Sequence, residues 1–284
     1  MPTLKNVIAL TSAFVLLIVA SSQSNSQPPS AKHTGKSPRV IWEGYSGGYS
    51  WKWTTTDLTA TASTTNSIAF SALGYEMRTS QMLKDEKTDP VDSLVECSIK
   101  PLSIVGGIAC YERDYYWEGG AHPSGSIDYV VLDAAKRDRR MSLPDLFDDT
   151  DILNALMADK IIRETLKRNN VTDTPKTSDE LVKLLSGKTF GGDNDMRYGF
   201  EPDLLSRFAF HHIEGNRVAV RINVSWASEI YRFTSTQIGI LLPIPARLRN
   251  SLEAASTGKS GFLMRSSKKL SRGTQTVLFS IKGK

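Results

Sequence analysis

An α+β fold is predicted for this chain of 284 residues: an antiparallel or mixed sheet with one main helix packed on it, preceded by a small β-rich region. Three observations support this prediction. Apolar and polar residues alternate over residues 218–224, which is the period of a half-buried strand. Apolar residues recur at helical spacing over residues 150–168. Aromatic residues alternate with polar ones over residues 49–53, so one early strand carries three aromatic side chains on one face.

The first 22 residues have the pattern of a secretory signal peptide. Lys5 precedes an apolar run over residues 7–20, and the small residues Ser21 and Ser22 follow it. This run is shorter than the roughly 20 residues that a membrane-spanning helix needs. We therefore expect residues 1–22 to direct export to the periplasm or the exterior, with cleavage near Ser22. An uncleaved N-terminal anchor is the alternative.

Two polar segments flank the part that is expected to fold. Residues 23–39 are rich in Ser, Pro, Gln and Lys, a composition that predicts a flexible linker. Residues 254–284 carry seven Lys or Arg and no acid, and we expect a basic mobile tail in which residues 277–281 could add an edge strand. The tail accounts for the net charge of +5, because residues 23–253 sum to −3. It could contact anionic envelope components or simply be solvated, and specific nucleic-acid binding is not expected.

Residues 40–90 are predicted to form the small β-rich region. Threonine-rich sequence continues the strand pattern to residue 63, and residues 68–77 form another apolar segment whose type the pattern leaves open. A charged stretch over residues 84–92 indicates a soft boundary. The larger α+β domain is then expected over residues 91–253.

The two cysteines, Cys97 and Cys110, are predicted to form a disulfide. An even number of cysteines in an exported chain favours a bridge. Pro101 lies between them and favours a turn, so that antiparallel strands on either side could bring the two side chains together. The alternative is a pair of buried free thiols.

The main helix is predicted over residues 150–168, because acids at its start and Lys167 and Arg168 at its end complement the helix dipole. On the strand over residues 208–213, regular alternation places His211 and His212 on opposite faces. The other predicted elements are a capped helical turn at 142–147, helices at 178–186 and 246–253, a loop at 190–202, and strands at 102–111, 127–132, 218–226 and 238–244.

The candidate site is the segment over residues 115–123, which reads Tyr-Tyr-Trp-Glu-Gly-Gly-Ala-His-Pro. Its Gly-Gly and His-Pro pairs constrain the backbone and predict a tight corner between two strands. Glu118 and His122 offer the reactive groups, since a carboxylate and an imidazole can ligate a metal or act as acid and base. We expect Trp117, Glu118 and His122 to border a binding surface. No catalytic residue, metal ligand or cofactor is predicted, because zinc-protease, nucleotide-binding and serine-hydrolase motifs do not occur.

The same segment resembles a known family. Residues 115–123, followed by Ile-Asp-Tyr-Val-Val-Leu-Asp at 127–133 and Met-Ser-Leu-Pro-Asp-Leu-Phe at 141–147, resemble the start of the bacterial DUF3298 domain. Residues 208–252 resemble its closing part, and residues 40–82 resemble the β-rich DUF4163 domain that often precedes it. The resemblance implies an extracytoplasmic α+β domain. Relatives include the extracellular part of a lysozyme-sensing anti-sigma factor and a partner domain in a peptidoglycan deacetylase.

The resemblance implies an exported binding module of the cell envelope without evident catalytic apparatus. Its expected ligand is a lysozyme-like hydrolase, a peptide or a peptidoglycan-type polymer. The catalytic domain of the deacetylase and the membrane and sigma-binding parts of the sensor have no counterpart in this sequence, so neither full function is expected. The alternative is a metal- or acid/base-dependent envelope hydrolase that uses Glu118 and His122, with His212 as a further group.

Overall fold

The computed structural model describes residues 37–79, 94–118, 124–136, 139–190, 198–225, 236–266 and 276–282. These residues contain eleven strands in three antiparallel sheets, together with five α-helices. The fold is therefore mixed α and β with antiparallel sheets, as the sequence predicts at this level. The predicted signal peptide, residues 1–22, and most of the predicted linker, residues 23–39, lie outside the described residues. Among the helices that are described, none is long and apolar enough to span a membrane.

The first sheet is a four-stranded meander that ends in a helix. Its strands follow chain order: β1 (Val40–Ser46), β2 (Tyr49–Thr54), β3 (Leu58–Ala62) and β4 (Ser67–Ser71). Helix α1 (Ala72–Thr79) follows β4 directly. Ser71 and Asp57 cap this helix together. The backbone N–H of Gly74 donates to the Ser71 hydroxyl at 2.9 Å, and that hydroxyl donates to Oδ2 of Asp57 at 2.7 Å. The backbone N–H of Leu73 donates to Oδ1 of Asp57 at 2.8 Å.

The second sheet occupies the middle of the fold. It contains β5 (Leu94–Val105), β6 (Ile108–Glu118), β7 (Ser124–Asp133) and the C-terminal strand β11 (Thr276–Lys282), in the order β11-β5-β6-β7. We call it the central sheet. Its longest hairpin, β5–β6, turns at Gly106 and Gly107.

The third layer combines a three-stranded sheet with helices. The strands are β8 (Phe208–Glu214), β9 (Arg217–Val224) and β10 (Thr236–Pro243), in the order β10-β9-β8. The helices are α2 (Asp149–Ala158), α3 (Lys160–Arg168), α4 (Ser178–Leu185) and α5 (Ala246–Ser256). Two short 3-10 turns lie at Leu143–Asp145 and Leu204–Ser206.

Both faces of the central sheet contribute buried residues, and the two faces belong to different cores. On β7, Val130 packs in the core that contains Trp51 and Trp53 of the first sheet, whereas its neighbour Val131 packs in the core of the third layer with Phe210. Successive strand residues point to opposite faces, so this division follows from the pleat. The first sheet shares its core with the central sheet and does not form a core of its own.

Two helices replace the single main helix predicted over residues 150–168. At Asp159 the backbone is extended, with φ −68° and ψ 135°, and its side chain accepts hydrogen bonds from the N–H groups of Ile161 (2.8 Å) and Ile162 (3.1 Å). Aspartate competes for backbone donors in this way, which is why it favours helix starts over helix interiors. The break lets α2 and α3 each bury their own apolar residues.

The predicted mobile tail is instead part of the fold where residues 254–284 are described. Phe262 is 2% exposed, and its backbone N–H and C=O bond to Ile104 at 3.0 and 2.8 Å. The possible edge strand at 277–281 is present as β11, and Trp53 Nε1 donates to the Thr276 hydroxyl at 2.6 Å. The basic composition concealed this packing, because the apolar residues at 262–264 and 277–279 form only short runs among polar and basic ones.

Candidate functional site

Of the three residues predicted to border a binding surface, Glu118 has a described side chain. It is the last residue of β6, it is exposed, and its Oε1 accepts a hydrogen bond of 2.7 Å from the Tyr116 hydroxyl. The backbone of Trp117 lies in β6, paired with Val95 and Ser124. His122 and the rest of the predicted corner, residues 119–123, lie outside the described residues. The pairing of Glu118 with His122 therefore stays a prediction.

The predicted disulfide is wrong: Cys97 and Cys110 are both free and buried. Cys97 packs in the core shared with the first sheet, and Cys110 packs in the core of the third layer. Burial raises the pKa of each thiol to about 12. Both groups are thus neutral thiols that cannot serve as nucleophiles at ordinary pH.

The disulfide prediction failed because the hairpin turns later than Pro101 suggests. Pro101 sits inside β5, where the register with β6 shifts between Pro101 and Ser103. A bulge is a position that tolerates proline within a sheet. The turn falls instead at the Gly-Gly pair over residues 106–107, and Gly106 has φ +60°, a conformation that glycine adopts without strain.

A run of carboxylates occupies one face at the open end of the central sheet. On β6, the buried Ile108 and Cys110 are followed on the same face by Glu112, Asp114 and Tyr116, which are partly exposed. The exposed Glu118 completes this row at residues 108–118. The strand thus changes along its length from a core element to a solvated surface.

Strand β5 adds to the same surface. The ladder sets Lys100 opposite Glu112 and Glu96 opposite Tyr116, and Lys100 Nζ lies 3.3 Å from Glu112 Oε1. We call the surface made by Glu96, Lys100, Glu112, Asp114, Tyr116 and Glu118 the acidic face. With four carboxylates and one ammonium group it is predominantly negative. Of this face, only Glu118 was predicted from the sequence. The acids at residues 112, 114 and 118 share the period of a strand and were a signal that was missed, whereas the contribution of β5 depends on a register that the sequence does not reveal.

On the other face of β6, a buried carboxylate binds two neighbours. Glu76 of α1 is 2% exposed, accepts a hydrogen bond of 2.8 Å from the Tyr111 hydroxyl, and lies 3.1 Å from a guanidinium nitrogen of Arg113. Burial and the negative charge of Glu76 both raise the pKa of Tyr111. Tyr111 is therefore a neutral hydrogen-bond donor.

Arg113 also contacts a second buried carboxylate, Asp128 of β7, at 3.2 Å. Burial acts to lower the pKa of Arg113, but Glu76 and Asp128 together outweigh it and hold the pKa above its ordinary value. Arg140 approaches the same carboxylate at 2.9 Å, and Arg207 Nε lies 2.7 Å from Asp203 Oδ1. Three arginines thus face three acids in this ionic network, which links α1 to β6, β7 and the 3-10 turn before β8.

The ionic network is balanced in charge, so it has the character of a structural link. A metal centre is not indicated in the part of the chain that the structure describes, because no group of three or more His, Cys, Asp or Glu side chains is placed to hold an ion. Comparisons with family models, with curated proteins and with solved structures found no match to this chain.

Proposed function

We propose that the chain is an exported cell-envelope binding module of the DUF3298 type, which binds a cationic protein partner through the acidic face. A lysozyme-like hydrolase is the first partner to test. The observation that supports this proposal is the row of Glu112, Asp114 and Glu118 on one exposed sheet face. In the same proposal, residues 40–90 correspond to the DUF4163-like region, and residues 1–22 direct the chain to the periplasm or the exterior.

Electrostatics favours a basic partner over an anionic polymer at this face. The acidic face carries three more negative than positive charges, and residues 23–253 sum to −3. Complementary charge steers association and fixes orientation. A hydrolase with a net positive charge would be complementary to this surface. A basic peptide is the alternative ligand of the same chemistry.

A sheet face is also pre-organised for protein binding. The carboxylates lie on paired strands, so their backbones are fixed before the partner arrives and little conformational entropy is lost. Tyr116 lies among them, and tyrosine is among the residue types enriched at the centre of binding surfaces. The row of acids would then set orientation, and the tyrosine would supply apolar contact area.

The test is a binding measurement with egg-white lysozyme at about 50 and 200 mM salt, using the full chain. One variant neutralises the acidic face: Glu112→Gln, Asp114→Asn and Glu118→Gln. A matched control removes the same charge from exposed acids elsewhere: Asp173→Asn, Glu201→Gln and Glu253→Gln. We expect the first variant to bind at least about tenfold more weakly at low salt, which corresponds to about 1.4 kcal/mol, and the control to bind as the parent does.

Cytochrome c serves as a basic protein that is not a hydrolase. Equal affinity for both proteins would reduce the proposal to non-specific charge attraction. Equal loss in the two triple variants would remove the acidic face as the site. The competing hydrolase hypothesis, with Glu118 and His122 as acid and base or metal ligands, predicts wall-polymer cleavage that Glu118→Gln abolishes, or stoichiometric zinc in the purified protein.

A further inference from the structure

Two consecutive histidines on β8 present their rings side by side, although neighbours on a regular strand point to opposite faces. The register between β8 and β9 shifts between Phe210 and His212, leaving His211 as the extra residue of a bulge. The two rings lie with centroids 4.9 Å apart and planes at 79°. Their Nδ1 atoms are 2.7 Å apart. The predicted separation of His211 and His212 onto opposite faces is therefore wrong.

This short distance requires one proton between the two nitrogens. Two neutral imidazoles can approach in this way when one Nδ1 donates and the other accepts. Nε2 of His212 lies 3.8 Å from a carboxylate oxygen of Glu214, which favours a proton on Nε2 and leaves Nδ1 with its lone pair. His211 is then the donor in this hydrogen bond, and coordination of a metal by its Nδ1 requires the other tautomer, with the proton on Nε2.

The two Nδ1 atoms also lie close enough to converge on one metal ion once each ring rotates, since in the hydrogen bond their lone pairs do not point to a common position. A tetragonal copper site takes neighbouring nitrogen ligands at about a right angle, and Cu(II) stands highest among the divalent first-row metals in affinity for nitrogen ligands. We propose that His211 and His212 form a bidentate bis-imidazole site for Cu(II), reached by a rotation of each ring that turns both lone pairs towards the ion.

The binding step involves no change in oxidation state. Cu(II) gains two Nδ1 bonds, water leaves its coordination sphere, and the His211 proton moves to Nε2. The side chain of His212 is 28% exposed, so water can occupy the remaining equatorial positions. Within the described ranges no third protein ligand is grouped with the pair. The affinity should therefore be that of two imidazoles, well below that of an enclosed structural site.

The site is independent of the proposed partner-binding function. The two sites use different residues: the acidic face contributes no ligand to the histidine pair. The sequence contains four histidines, and the other two are His33 and His122. His33 and His122 therefore supply matched controls with the same change of side chain.

The experiment titrates the untagged full chain with Cu(II), using calorimetry and electron paramagnetic resonance. His211→Gln and His212→Gln are compared with His33→Gln and His122→Gln. We expect the parent protein to give a tetragonal spectrum with coupling to nitrogen. Each of the first two variants should bind at least about tenfold more weakly, and the two controls should bind unchanged. Thermal melts verify folding, and Cu(II) should raise the melting temperature of the parent but not of His212→Gln.

Three results would overturn the copper site. The parent protein could fail to bind Cu(II), binding could persist in both His211→Gln and His212→Gln, or the nitrogen-coupled signal could be lost in His122→Gln instead. The last result would assign the metal to the loop over residues 119–123. A variant that no longer folds is replaced by His212→Asn, whose shorter amide cannot reach the ion.

Discussion

Cys97 and Cys110 lie on opposite faces of the central sheet and cannot form a disulfide in this fold. The ladder pairs Cys97 with Tyr115, which is five residues from Cys110 along β6. At about 3.4 Å per residue this offset is roughly 17 Å, whereas bridged cysteines have Cα atoms less than about 7 Å apart. A bridge would require the β5–β6 hairpin to change both its turn and its register.

The first prediction concerns the state of these thiols. Because burial raises the pKa of each to about 12, neither should react with a thiol-specific reagent in the native protein at about pH 8. Both should react after denaturation without any reductant. Reducing agent should leave the melting temperature unchanged. Absence of free thiols in denaturant would mean that the cysteines are oxidised and that the register of the hairpin is wrong.

The sequence did not locate the strands of this hairpin. The strand predicted over residues 102–111 spans the turn at residues 106–107, because its apolar run continues on both sides of the two glycines. The strands predicted over residues 127–132, 218–226 and 238–244 largely coincide with β7, β9 and β10. Pairing depends on the position of the turn. The turn was predicted at Pro101, whereas it lies at residues 106–107. Register decides which side chains share a face. For that reason the acidic face and the separation of the cysteines could not be derived from local pattern alone.

The break between α2 and α3 and the packing of the tail were also missed because they depend on contacts between distant residues. Nothing in the charge pattern of residues 150–168 distinguishes Asp159 as a cap from an ordinary surface acid, because the difference depends on which apolar faces the two halves bury. Phe262 and Leu278 each lie in a short apolar run within a basic, serine-rich segment, and both are at most 7% exposed. Long-range packing supplied the information that local composition lacked. Glu118 was predicted as a site residue because a carboxylate can bind or react. The place of Glu96 on the same face could be seen only from the pairing of β5 with β6.

The second prediction tests the contact between the β1–β2 turn and the β5–β6 turn. Gly47 has φ +63°, and a Cβ there would lie 2.3 Å from the backbone of Gly106 and Gly107. Gly48 has φ +85° but faces open space. We expect Gly48→Ala to lower the free energy of unfolding by about 1 kcal/mol through backbone strain alone. Gly47→Ala should cost at least about 2–3 kcal/mol, since strain and displacement of a backbone act together.

Urea denaturation of the two glycine variants provides this comparison directly. Their backbone strain is similar, so the difference between them isolates the contact between the turns. Equal losses would show that the two turns do not touch in solution.

The third prediction concerns Asp57, which caps α1 together with Ser71. Burial raises its pKa above the ordinary value, although hydrogen bonds from Leu73, Ser71 and Leu58 act in the opposite direction. A raised folded-state pKa means that the contribution of Asp57 to stability is complete below the unfolded pKa of 3.8 and is lost as pH rises through the folded pKa. Asp57→Asn keeps the acceptor oxygen and removes this titration.

Relative to Asp57→Asn, the parent protein should therefore gain stability as pH falls from about 7 to about 3.5. Asp57→Ala loses the acceptor for the Leu73 N–H and the Ser71 hydroxyl at every pH, which costs about 1 kcal/mol, while Ser71 still caps Gly74. Denaturant titrations of the three proteins at both pH values measure this. A stability difference between parent and Asp57→Asn that is constant with pH, or that moves towards the Asn variant in acid, would contradict the raised pKa.

The last prediction concerns Arg113, which neutralises two buried carboxylates. Glu76 is 2% exposed and Asp128 is 6% exposed. Arg113→Met removes the guanidinium that lies 3.1 Å from Glu76, whereas Asp128 keeps Arg140 at 2.9 Å, so the uncompensated charge is that of Glu76. Removing one partner of a buried ion pair typically costs about 3–5 kcal/mol. Lys100→Gln, which removes a partly exposed pair with Glu112, should cost less than about 1 kcal/mol. If Arg113→Met lowers the free energy of unfolding because Glu76 is left as an uncompensated charge, adding Glu76→Gln should recover part of that free energy. A denaturant titration measures it. A double variant less stable than Arg113→Met would instead assign the loss to packing of the arginine stem against α1.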